Sequence, residues 1–166
     1  MGLTSEFRIG RSTLDTFAHR ILAQYRQPIY HNKYHGVDVA QCVFFLCHSI
    51  NAEKLLPKTS LLALLVAAIA HEVGHPGVNN NYHINTQDKL AMRYNDQSVL
   101  EMMHCSLLYA TLEEEGANVF RALDEGQWRA ARAVAIAAIL GTDMSHHFKC
   151  VSDIKVFCNV QEKAIG

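Results

Sequence analysis

Leu61 to Ala70 is an unbroken run of ten apolar residues, followed at once by His71-Glu72-Val73-Gly74-His75-Pro76-Gly77. The run is about half of the ~20 residues that a membrane span needs, so it reads as a helix buried on every side. Such a helix must be wrapped by others, and that fixes much of the architecture. Its far end carries two histidines and a carboxylate. Burying an unpaired carboxylate is expensive, so a metal or another cation belongs nearby. Pro57 breaks the chain before the run, and Thr59 or Ser60 is placed to cap a helix from Leu61. The helix is expected to end near His75-Pro76-Gly77, because the residue before proline is pushed out of the α region.

The rest of the chain reads as wrapping helices. Ser12 to Tyr25 is helical in pattern and is stopped by Gln27-Pro28. Tyr30 to Asn51 has a helical period with a wide apolar arc. Asn79-Asn80-Asn81 reads as a loop, and Thr86 to Met92 as a short helix with Thr86 as its N-cap. Tyr94-Asn95-Asp96 forms a second cap region, with Asp96 as the capping side chain for a helix over Gln97 to Leu112. Glu113 to Asn118 is a polar break, and Val119 and Phe120 can staple the segment after it. Asp124 to Leu140 is a helix rich in alanine, ended by Gly141 and Thr142, and Asp143 to Gln161 mixes helical spacing with polar residues. Nine glycines and three prolines in 166 residues fall well below the usual share of about 12%, which disfavours a fold of many strands. The expectation is one all-α, compact multi-helix domain over residues 1–166, long enough to bury a core without staples.

Charge and cysteine usage narrow the function. Fifteen Lys+Arg against sixteen Asp+Glu give a net charge of −1, without the basic surface that a nucleic-acid polymer requires. The five cysteines are odd in number and contain no Cys-x-x-Cys, which argues against a disulfide framework or a thiolate zinc site. Met1 to Gly10 carries Glu6 and Arg8 and lacks the apolar core of a secretory signal. The chain is therefore expected to be cytoplasmic and to make no membrane contact of its own, although a parent protein is free to be membrane-associated. Histidine is the outlier, at ten residues. It is the commonest metal ligand and the proton carrier near neutral pH.

Several of these histidines fall in short constellations. His31 and His35 stand at i, i+4, on one face if the segment is helical, and Asp38 is spaced to orient the second ring nitrogen of His35. His71-Glu72-x-x-His75 matches the zinc-protease pattern. In that chemistry both histidines share one continuous helix, which Pro76 opposes, and the third histidine expected downstream is missing. Glu101 and His104 share a helical face, and Asp143 precedes His146 and His147 at the end of another apolar segment.

Taken together, these segments resemble the catalytic domain of the eukaryotic-type cyclic nucleotide phosphodiesterases, a branch of the HD metal-dependent phosphohydrolases. The matching pieces are His31-Asn32-x-x-His35-x-x-Asp38-Val39 and His71-Glu72-x-x-His75-Pro76-Gly77-x-x-Asn80. They continue with Leu90-Ala91-x-x-Tyr94-Asn95-Asp96-x-Ser98-Val99-Leu100-Glu101-x-x-His104 and Thr142-Asp143-Met144-Ser145. The resemblance runs from about Tyr30 to about His147. It implies an all-helical domain with two divalent ions, zinc and magnesium (or manganese), at the bottom of a pocket. There they activate the hydroxide that attacks the phosphorus of cAMP or cGMP. It implies that His35, His71 and Glu72 are metal ligands, with Glu72 in the place of the family's bridging aspartate. His31 is the implied acid that protonates the leaving 3′-oxygen. His75, Asn80, Glu101 and Asp143 would hold ligands and metal-bound water, and Tyr30 and Met144 would line the cyclic nucleotide pocket.

This sequence departs from the family in two ways. Glu72 carries one methylene more than aspartate, which moves the carboxylate by about 1.5 Å. After Met144 nothing matches the family's further aspartate ligand, its purine-binding glutamine or its aromatic clamp, so the resemblance covers the N-terminal half of that domain. If the C-terminal half normally covers this one, an apolar face should be exposed, and self-association is the expected result in isolation. The other readings are a non-catalytic helical module with degenerate metal positions and, third, a zinc metalloprotease using His71-Glu72-x-x-His75.

Overall fold

A computed structural model describes residues 1–165, with side chains described through 158. Among these residues the elements are α-helices and two 3₁₀ turns, with no strand. In chain order the helices are α1 (Leu3–Glu6), α2 (Arg11–Gln24), α3 (Lys33–Ser49), α4 (Lys58–Ala70), α5 (Asn80–Thr86), α6 (Lys89–Tyr94), α7 (Val99–Glu113), α8 (Glu125–Leu140) and α9 (His147–Ile165). The 3₁₀ turns are Ala52–Lys54 and Met144–His146.

The apolar run forms the axis of the fold. On α4, Leu61, Leu62, Ala63, Val66, Ala67, Ala68 and Ala70 are all buried, so no side of the helix is left to solvent. Its main neighbours are α8 and α3. Buried Ala131, Ala135 and Ile139 recur every fourth residue on α8, and these mostly small side chains let it lie close against the alanines of α4. Phe17 and Ile21 of α2, Leu108 and Leu112 of α7, and Val119 and Phe120 complete the core. Among the described residues, no helix is long and apolar enough to cross a membrane.

Several boundaries differ from those read in the sequence. Helix α4 starts at Lys58 without a side-chain cap, so neither Thr59 nor Ser60 has that role. It ends at Ala70, five residues before the expected stop. The reversal comes from Gly74, which is left-handed at φ +79°, a conformation that favours glycine. A Cβ at Gly74 would lie 2.6 Å from Leu107 Cδ1. The asparagines are not a loop: Asn79 caps α5 by accepting from the Tyr82 N–H. The next helix is capped by Asp88, which accepts from the Leu90 and Ala91 N–H groups, in place of Thr86. Asp96 does not cap α7. It is left-handed at φ 62°, and Ser98, at the N-cap position, makes no side-chain cap bond. The polar, mixed segment after Asp143 is the long helix α9, which packs chiefly on the 3₁₀ turn before it.

Large exposed apolar side chains are most numerous on two helices, among them Tyr34, Val37 and Phe44 on α3 and Phe148, Ile154 and Phe157 on α9, while α2, α5, α6 and α8 each expose one. The N-terminus of α8 is a full capping box. Asp124 accepts from the Gln127 N–H, and the Gln127 side chain accepts from the Asp124 N–H. Asp124→Ala should therefore cost about 1 kcal/mol, read as a lower denaturant midpoint at unchanged slope.

Candidate metal centre and its cleft

The end of α4 and the start of α3 converge on one carboxylate. Past Ala70 the chain makes tight turns, with the Val73 N–H donating to the Ala70 carbonyl and the His75 N–H to the Glu72 carbonyl. These turns present His71, Glu72 and His75 to the same space but not along one helix, which removes the geometry of the zinc-protease reading. His35 comes from the first turn of α3. His31 lies before that helix begins, in the turn leading to the N-cap Asn32, so the pair does not share a helical face. The two rings nonetheless remain 6.2 Å apart. Asp38 is exposed and forms no hydrogen bond with His35.

Glu72 is the hub. Its Oε1 lies 2.7 Å from His31 Nδ1 and 3.9 Å from His71 Nε2, and its Oε2 lies 3.6 Å from His35 Nε2. Oε2 is buried and has no hydrogen-bond partner among the described residues. His35, His71 and Glu72 each offer a ligand atom, and the three atoms lie within 4.8 Å of one another. The tautomer of His71 is fixed: its Nδ1–H donates to the Ala68 carbonyl at 2.8 Å, which leaves the Nε2 lone pair toward Glu72. Burial holds this ring below the ordinary histidine range, against that hydrogen bond. A carboxylate oxygen without a donor, beside the Nε2 lone pair of His71 and a ring nitrogen of His35, is an arrangement that a divalent cation satisfies. The residues present therefore fit a metal ion.

Around this hub the remaining predicted residues face one cleft of about 1120 Å³, which Tyr30, His75, Asn80, Glu101, Asp143 and Met144 also line. Asn80 is used twice. Its Nδ2 donates to Glu101 Oε2 and its Oδ1 accepts the Leu100 N–H, each at 2.9 Å. Burial raises the Glu101 carboxyl above its usual range, with the Asn80 hydrogen bond opposing it. Burial also works to raise Asp143, but donors from the Ser145 N–H and the Ser98 hydroxyl outweigh it, and Asp143 stays below the usual range. Tyr30 and Met144 are exposed wall residues, and the Tyr30 ring centroid lies 4.5 Å from that of His35.

Three further contributors were given no site role in the sequence reading. Ser98 reaches Asp143 across 45 positions. Tyr25 lies beneath the centre, and burial pushes its phenol up, against a hydrogen bond from the Glu72 backbone. His104 extends a stack of rings in which His31 lies 4.0 Å from His75, and His75 lies 5.8 Å from His104. His75 Nδ1 accepts the Gly77 N–H, and His104 Nδ1 donates to the Val73 carbonyl. Of these three, only the Glu101–His104 spacing gave any local signal.

Burial holds His104 down to about 3 and His75 down to about 4, with the neighbouring His31 adding to the latter. Unfolded histidines take up protons near pH 6.5. Between that value and the folded ones the unfolded chain binds more protons, so stability is full above about 6.5 and falls as pH drops. The metal-free chain should lose up to ~1.4 kcal/mol per pH unit for each ring in this window. Urea midpoints across the range check this, and His104→Gln should make the slope shallower.

A family model described as 3′5′-cyclic nucleotide phosphodiesterase matches residues 30–165. The chain is 33% identical to the dual specificity calcium/calmodulin-dependent 3′,5′-cyclic nucleotide phosphodiesterase 1 of Drosophila melanogaster, over 99% of this chain and 20% of that protein. It is 37% identical to the 3′,5′-cyclic-nucleotide phosphodiesterase regA of Dictyostelium discoideum, over 86% of this chain and 18% of that one. The crystal structure of the phosphodiesterase domain of the RhoPDE fusion protein from the choanoflagellate Salpingoeca rosetta superposes with a TM-score of 0.90 at 37% identity. That superposition covers 93% of this chain and 48% of the solved one. The chain thus spans about a fifth of the length of these curated relatives and about half of that solved domain.

Proposed function

Because the chain belongs to the 3′,5′-cyclic nucleotide phosphodiesterase family, we propose that its cleft forms the metal-bearing half of a site that hydrolyses a 3′,5′-cyclic nucleotide to the 5′-monophosphate. The observation that carries this is the orphaned Glu72 Oε2, set among His35 and His71 with ligand atoms no more than 4.8 Å apart. His35, His71 and Glu72 hold a divalent ion, zinc by the chemistry of two imidazoles and one carboxylate. Asn80, Glu101 and Asp143 line the same cleft as Glu72, and a second, harder ion such as magnesium or manganese would be held on that side. Ions so held supply Lewis-acid activation of water and neutralise charge on the phosphoryl oxygens.

The other residues act on proton and geometry. His31 is anchored through Nδ1 on Glu72, which leaves Nε2 as the ring atom that hands a proton to the departing 3′-oxygen. His75, stacked on His31, fixes the plane of that ring. Asn80 orients Glu101, and Ser98 with Ser145 holds Asp143 ionised toward the cleft. Tyr30 and Met144 form the walls against which the nucleotide lies, and the choice between cAMP and cGMP rests on residues beyond these. The chain acts as part of one catalytic domain, with the C-terminal half of that domain or a second copy as the partner across the cleft.

Zinc titration by calorimetry, together with hydrolysis of cAMP and cGMP by a longer chain containing this segment, tests the reading. His71→Ala should abolish zinc binding and activity together. His31→Ala should keep the metal and lower kcat by about 10²–10⁴-fold. A chain that binds no divalent ion under any condition would instead support a non-catalytic helical module.

A further inference from the structure

Tyr25 is outside the cleft and outside the family-matched residues, yet it touches both elements that carry the ligands. It follows α2 in extended backbone, at φ −66° and ψ 131°, and is only 5% exposed. Its hydroxyl donates to the Ile69 carbonyl at 2.8 Å. Ile69 lies two residues before His71, and its carbonyl belongs to the last turn of α4, where no partner four residues on is available. The neighbouring carbonyls are filled differently: Ala68 by the His71 ring and Ala70 by the Val73 N–H.

The hydroxyl end of the same phenol also bears on Gly36, the residue after His35. A Cβ at Gly36 would lie 2.5 Å from Tyr25 Oη and 2.7 Å from Cζ, so the helix rests directly on the ring with no side chain between. One rigid phenol is thus clamped between the backbone next to one ligand and the backbone two residues from another. Apolar packing between α3 and α4 is non-directional and permits sliding. A hydrogen bond to one helix and a hard contact with the other do not.

We propose that Tyr25 is a positioning residue for the metal centre, a strut that sets the distance and orientation of His35 relative to His71. The proposal rests on the metal reading given above. Losing the hydroxyl frees the Ile69 carbonyl to tilt toward another donor and to carry the His71 turn with it. Enlarging Gly36 presses a methyl group on the hydroxyl end of the phenol and displaces it without removing the hydroxyl.

The test uses zinc affinity, measured by chelator competition, and the visible absorption band of cobalt(II) bound in its place. Tyr25→Phe should weaken zinc binding roughly 10–100-fold and change the cobalt(II) band. Tyr109→Phe, which removes a hydroxyl bonded to the Arg132 carbonyl outside the cleft, should leave both at wild-type values. If Tyr25→Phe does not fold, Gly36→Ala decides the case and should show the same loss. Wild-type affinity and an unchanged band in the folded Tyr25→Phe, or in Gly36→Ala, overturn the strut while leaving the metal reading in place. A wild-type chain that binds neither ion overturns both.

Discussion

A carboxylate set at the end of the most buried helix is the constraint around which the rest of this fold is arranged. Glu72 faces two penalties there. Desolvation disfavours its charge, and the C-terminal end of α4 presents the negative pole of the helix dipole. One oxygen is relieved by His31, and the other has no donor among the described residues. Three stretches of backbone bring histidines to this carboxylate: the start of α3, the turn after α4, and the loop carrying His31. The apolar axis and the ionisable hub are one feature. The helix that anchors the core also fixes where the charge must sit.

The all-α architecture was legible because it rests on local periodicity. The apolar run and the alanine-rich stretch of α8 each carry their signal within the element they form. The histidine pairs were legible because their spacing is short. What escaped was set by distance or by backbone sign. Gly74 turns left-handed four residues past the end of α4 and its bare backbone makes room for Leu107, which nothing near Gly74 in sequence announces. Ser98 meets Asp143, and Tyr25 meets Ile69, across more than forty positions. A cap was misplaced where two polar residues stand close together: the Thr86 hydroxyl donates back to the Tyr82 and His83 carbonyls of α5, and Asp88, two residues on, takes the Leu90 and Ala91 N–H groups.

The ring stack shows how burial assigns protonation. His104 keeps its proton on Nδ1 for the Val73 carbonyl, while His75 gives up that position to accept from Gly77. Each ring thus has one nitrogen committed to the backbone and one facing its neighbours. Neutral imidazoles packed in register tolerate burial that charged ones would not. They hold the face of His31 without adding charge that would compete with a cation at Glu72.

Asn80 has a consequence for how the cleft communicates with the core. Helix α7 does not cap itself; the amide oxygen of a residue twenty positions earlier receives the Leu100 N–H, while the same side chain steers Glu101. The first turn of a core helix and a side chain of the cleft are therefore written into a single amide group. Anything that pulls on Glu101 loosens or tightens the Leu100 proton, so hydrogen exchange at that one backbone position reads the occupancy of the cleft from inside the scaffold.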